Sequence, residues 1–236
     1  MSVYRKFAGQ TAIYGISTIV SRLLNFLLTP LYTRVYQEEV YGIFTEMYAW
    51  AALINALLAF GMETTYFRYL QKHDDKKAVY SNGFQLVGAL SAIFLVAGLL
   101  NASSLGGMMQ KGGLVPAGDY ADYIAFFAFI VFFDNLAVLP FARLRAEGKA
   151  FRYSLLKFIN IAVFMMLNLV LIVLVPVMIR EKWMFYEQLE SFYRPQWIGY
   201  VFVSNLAASA LTFLLLTPEL LKIRFGVDLQ LMKKML

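Results

Sequence analysis

The sequence predicts an all-α polytopic membrane protein, a bundle of six transmembrane helices. Three observations carry that prediction. Six long, mostly apolar segments divide the chain, the short connections between them alternate between Lys/Arg-rich and Lys/Arg-poor, and the composition is 60% hydrophobic with only 15% charged residues. A soluble domain carries nearer ~25% charge.

The predicted spans are 8–33, 41–66, 79–101, 120–142, 153–179 and 196–218, each near or above the ~20 residues needed to cross a ~30 Å hydrocarbon core. The first is too long and too polar for a secretory h-region and lacks a small-residue cleavage signature, so it reads as a retained anchor. Connections on both sides are short, which makes consecutive helices antiparallel neighbours in one bundle. One set of connections, with the chain ends and counting Lys157 just inside the fifth span, holds fifteen Lys and Arg, Arg145 among them; the other holds five. Positively charged short loops resist translocation, so the richer face is expected to be cytoplasmic with both termini on that side, in a bacterial inner membrane. The longest outer connections are 102–119, rich in Gly and Ser, and 180–195, where mixed charges interleave with Trp183, Phe185, Tyr186, Phe192 and Tyr193. The latter suits an amphipathic piece in the membrane interface, either as a solvated anchor or in contact with substrate. Residues 1–218 form the expected six-helix lobe, and 219–236 read as an amphipathic cytoplasmic segment leading towards a further part of the molecule. The three-helix units 8–101 and 120–218 would be compatible with an internal duplication, but no residue-level match joins them.

The net charge of +6 is not a nucleic-acid footprint, because its cations lie in loops beside the bilayer, where they attract anionic lipid head groups. With no cysteine there is no thiolate nucleophile, disulfide or Cys metal site. His73 is the single histidine and sits beside Asp74 and Asp75 in a charged loop, so no triad or histidine metal site is expected. The stretch Ser103–Gly113 contains Lys111 but lacks the spacing of a phosphate-cradling P-loop. Asn101-Ala102-Ser103 fits a glycosylation acceptor but lies at a membrane edge, and so common a pattern decides nothing. Neither an enzymatic activity nor a cofactor is expected.

Intramembrane polar residues are the candidate functional groups, because a charge at mid-bilayer costs at least ~2.5–3.5 kcal/mol on insertion scales. Thr18, Arg22, Asn25 and Thr29 share roughly a 60° arc of the first helix, flanked by Ser21. Such a stripe should face a protein interior or a water-filled cavity. Pro30 should kink the helix near its outer end. The second helix brings Glu46, Asn55 and Glu63, and Glu46 would lie within about 6 Å of the depth of Arg22. Arg22 and Glu46 are therefore either substrate-facing groups or a packing ion pair. Asp134 and Asn135 on the fourth helix and Asn160 on the fifth lie at similar depths in the inner half, where they either line the same cavity or join helices. Asn168 and Asn205 are weaker candidates.

Several local runs resemble one family. They are Ser21-Arg22 in a polar first helix, Thr29-Pro30-Leu31-Tyr32-Thr33-Arg34, Glu38-Glu39-Val40-Tyr41-Gly42-Ile43, Gly61 with Tyr66-Phe67-Arg68-Tyr69, and Arg145-Ala146-Glu147-Gly148-Lys149. Together and in order, they are similar to the polysaccharide biosynthesis flippases of the multidrug/oligosaccharidyl-lipid/polysaccharide exporter superfamily. The likeness is densest in 15–70 and 140–160. It implies a transporter of undecaprenyl-pyrophosphate-linked oligosaccharide, such as an O-antigen, capsule or exopolysaccharide repeat unit, with Arg22 on the pyrophosphate. It also implies two six-helix lobes around a cationic cavity, so this chain corresponds to the N-terminal lobe and its partners would be the lipid-linked substrate, membrane lipids and a second lobe or glycan-assembly membrane proteins. Ending after one lobe is the departure from that pattern, and this chain alone is not expected to transport. The alternatives are a cation-coupled drug exporter using Asp134 and Glu46, or a non-transporting six-helix subunit.

Overall fold

The computed structural model describes residues 15, 19–20, 23–24, 26–110, 115–224, 226 and 228–235. Thr18, Ser21, Arg22 and Asn25 lie outside the described residues, so the polar stripe of the first helix is represented by Thr29 alone.

The regular structure of the described residues is helical, without a strand among them. Helix α1 covers 26–35, followed by α2 (Glu38–Ala59), α3 (Met62–Lys72), α4 (Lys76–Leu100), α5 (Ala102–Met109) and α6 (Ala117–Ala146). Beyond these come α7 (Ala150–Leu169), α8 (Val175–Arg180), α9 (Tyr186–Phe192), α10 (Gly199–Leu215), α11 (Thr217–Leu220) and α12 (Leu229–Met235). Four stretches are long and apolar enough to cross a membrane: Glu38–Lys72, Lys76–Leu100, Gly118–Ala146 and Ala150–Arg180. A fifth, Gly199–Leu215, is shorter, and the first predicted span lies mostly outside the described residues. The protein is thus an all-α polytopic membrane protein.

Helix α6 is its axis. Of its apolar stretch 61% is buried, against 6%, 17% and 22% in the other three. Val131, Leu139, Ala142 and Leu144 have no exposed surface, and α2, α4, α5 and α10 all pack around this one helix. Close approach depends on small residues, because lipid supplies no hydrophobic drive between helices and packing must do so. A Cβ on Gly98 of α4 would come 3.1 Å from that of Ala128, and one on Gly106 of α5 would meet the Ala121 backbone at 3.0 Å. Large apolar side chains instead point outward, as with Leu57, Ile93 and Leu100, where hydrocarbon is the solvent.

The predicted second span, 41–66, is not one rod. Phe60 and Gly61 both adopt left-handed backbone, φ 51° and 61°, which ends α2 and restarts the chain as α3 at a new angle. Glycine takes that conformation at no steric cost, whereas Phe60 does so against its side chain. The predicted fifth span also changes pitch, with a π-turn at Val170–Leu174 between α7 and α8. Pro176 lies two residues beyond that turn. A regular α-helix would drive its ring against the Ile172 carbonyl, and the wider turn relieves the clash.

The connections 102–119 and 180–195 hold short helices, α5 and α9, and around α9 the side chains of Trp183, Met184, Phe185 and Phe192 are exposed. At the opposite end of the bundle, Asp75 caps α4 by accepting from the backbone N–H groups of Lys77 and Ala78, both at 3.0 Å. Those two bonds hold its carboxyl below the usual range. Residues 219–224 and 228–235 fold back onto this end. Leu231 and Met235 bury against Met62, Tyr66, Val79 and Tyr80, and the Asp228 N–H donates to Asn82 Oδ1 at 3.0 Å.

Candidate functional site: a polar cavity within the bundle

Along the C-terminal half of α6, a cavity of about 540 Å³ opens between α2, α6, α7 and α10. Asn55 and Ala59 stand four residues apart on one face of α2, Glu63 joins them from α3 beyond the Phe60–Gly61 break, and Tyr153, Lys157 and Asn160, four and three residues apart, share one face of α7. Asp134, Asn135 and Val138 supply the α6 wall, and Asn205, Ser209 and Thr212 the α10 wall.

The polar groups are paired across helices. Asn135 Nδ2 donates to Asn55 Oδ1 at 2.6 Å, Asn160 Nδ2 to Thr212 Oγ1 at 2.9 Å, and Ser209 Oγ to Asp134 Oδ1 at 2.7 Å. Asn205 Nδ2 donates to Tyr48 OH at 2.6 Å. These bonds join helices, and the same side chains line the void, so the two roles considered for Asp134, Asn135 and Asn160 coexist. Charge is balanced. Arg145 Nη2 lies 2.5 Å from Glu63 Oε1, while Lys157 Nζ sits 4.4 Å over the centre of the Phe141 ring.

Of the sequence-predicted site residues, Asn55, Asp134 and Asn160 thus meet in one cavity. Glu46 does not join them. It is nine residues from Asn55, two and a half turns, and therefore on the opposite face of α2. There it borders a largely apolar groove with Met47, Trp50, Phe94 and Met108. Thr29 is half-buried on α1 and does not border the polar cavity; its carbonyl accepts from Thr33 Oγ1 at 3.1 Å. Arg22, Thr18 and Asn25 lie outside the described residues.

Lys157 and Arg145 are the lining residues that sequence reasoning assigned elsewhere, to the cytoplasmic loop cations. Yet α7 begins at Ala150, which puts Lys157 about 10 Å into the helix. The spacing Tyr153, Lys157, Asn160 was the available signal.

Below the cavity lies a second cluster. Glu219 at the start of α11 is completely buried and faces Lys222 Nζ at 2.7 Å, Arg152 Nη1 at 3.4 Å and Arg143 Nε at 3.5 Å. Arg143 also binds Glu147 Oε1 at 2.7 Å, and Lys149 Nζ reaches Glu147 Oε2 at 2.6 Å. Partial burial works against ionisation of Glu147, but the hydrogen bonds from Lys149 and Arg143 prevail and hold its carboxyl at about 2. The same bond raises the ammonium of Lys149.

The cavity offers amides, hydroxyls and balanced charge at the depth of apolar helices, a surface for binding a polar solute within a membrane. The polysaccharide biosynthesis protein family matches residues 7–175, which include the α2, α6 and α7 walls. No curated protein and no solved structure matches the chain. The match covers well over half of the sequence, and the chain belongs to the polysaccharide biosynthesis protein family, a family of polysaccharide-related membrane transporters.

Proposed function

We propose that this chain is one lobe of an alternating-access transporter that flips undecaprenyl-pyrophosphate-linked oligosaccharide across the bacterial inner membrane. The observation that carries the proposal is the polar cavity itself, set among helices whose outer faces are apolar. A glycan cannot cross hydrocarbon unshielded, since each unpaired polar group costs several kcal/mol there. Asn55, Asn135, Asn160 and Asn205 offer both donors and acceptors, which suits sugar hydroxyls, while the prenyl tail remains in lipid. The bundle leaves the cavity open, and a facing surface from a second lobe or a second membrane subunit would complete it. No bond is made or broken in this task, so it requires no nucleophile or acid–base pair. A cation exporter would draw on Asp134, but the Lys157 ammonium shares the cavity with it and offsets its charge.

Arg22 is assigned to the substrate pyrophosphate, which its planar fork can pair bidentately. In the two-lobed transporter, Arg22→Ala should abolish glycan export with membrane abundance near normal, and Arg22→Lys should recover only part. Export rescued by Arg22→Met combined with Glu46→Gln would instead assign the arginine to packing.

A further inference from the structure

We infer that Lys157 is a second anion-binding residue of the cavity, which takes the diphosphate of a lipid-linked substrate and exchanges it for Asp134 when the substrate leaves. This rests on the transport reading above. Among the described residues Lys157 has no carboxylate within 4.0 Å, and its near contact is the face of Phe141 at 4.4 Å. The other cavity cation, Arg145, is already held by Glu63 at 2.5 Å. An ammonium this deep in an apolar helix needs an anionic partner, and an intramembrane ionisable group without a close one marks a ligand path. Asp134 faces the same void, and its Oδ1 accepts from Ser209 Oγ at 2.7 Å, which ties one of its two oxygens to α10 and leaves the other to the cavity. The lysine stem is flexible and its ammonium is a point charge with three rotatable donors, suited to alternating between two anions, where a rigid guanidinium would be tied to one.

The arrangement makes a prediction that a purely structural lysine would not. Removing the competing carboxylate should strengthen diphosphate binding, while removing the ammonium should weaken it. The test measures binding of a fluorescent prenyl-diphosphate-linked disaccharide to the whole chain in phosphatidylcholine nanodiscs, with monodispersity recorded for every variant. Lys157→Met should weaken binding about 10-fold, the loss expected of one hydrogen bond to a charged group. Lys157→Arg should stay within about 3-fold of wild type, and Asp134→Asn should bind more tightly. Unchanged binding in Lys157→Met overturns the inference, as does weakening in Asp134→Asn to the extent seen in Lys157→Met, which would make the two a structural pair. Inorganic pyrophosphate competing as well as the lipid-linked probe would assign the site to the free anion and overturn the lipid-linked source. No binding by the wild type would overturn the reading that this lobe holds the substrate in its own cavity, a result distinguishable from all of these.

Discussion

Glu219→Gln should destabilise the bundle by about 2 kcal/mol. Its carboxylate is fully buried, while its partners are unequally so: Arg143 is 13% exposed, Lys222 35% and Arg152 36%. Breaking a buried ion pair costs ~3–5 kcal/mol when the surviving charge is stranded, and an exposed pair contributes only ~0–1 kcal/mol. Here Arg152 and Lys222 can turn to water, and Arg143 keeps Glu147 at 2.7 Å, so the cost falls between those limits. The amide preserves side-chain volume and the backbone carbonyl that accepts from Tyr80 OH at 3.1 Å, which isolates the charge. Reversible unfolding in mixed micelles, followed by tryptophan fluorescence, measures the change. Arg152→Met should cost under about 1 kcal/mol in the same assay. A loss below about 0.5 kcal/mol for Glu219→Gln, the range of ordinary surface substitutions, would refute the idea that this cluster fastens α11 to α6 and α7.

Two further outcomes follow from the same structure. Single cysteines at Ser103 and Glu187, both exposed, should react with an impermeant maleimide from the periplasm, whereas cysteines at Asp74 and Gly148, also exposed, should not; reversed labelling would invert the topology. Because the Glu147 carboxyl is depressed in the folded state, its contribution is complete above the ordinary value of 4.5 and disappears as pH falls towards about 2. Thermal stability should drop across that window in the wild type and less steeply in Glu147→Gln, and equal slopes would refute the assignment.

The sequence made the helical class and part of the cavity legible. Long apolar segments and rare intramembrane amides are local signals, and Asn55, Asp134 and Asn160 stood out because polar groups at that depth are costly. Lys157 was obscured by topology counting, where a lysine near a helix end is indistinguishable from a loop charge until the helix start at Ala150 is known. The break after α2 was hidden for another reason: Gly61 is ordinary in an apolar run, and nothing local announces that Phe60 will also become left-handed. Glu219 reads in the sequence as the start of an amphipathic cytoplasmic segment, since Arg143 and Arg152 lie far away in sequence and only the tertiary fold brings them to it. The docking of Leu231 and Met235 on α3 and α4 depends on the same long-range closure.

The claim that this cavity carries the lipid-linked glycan is tested most directly by photo-crosslinking. A benzophenone amino acid placed at Asn160, on the cavity wall, should capture radiolabelled undecaprenyl-pyrophosphate-linked oligosaccharide in membranes, and excess unlabelled substrate should suppress the adduct. The same group at Ile93, 66% exposed on the outer face of α4, should give no adduct that substrate competes away. A competed adduct at Ile93 with none at Asn160 would contradict the account.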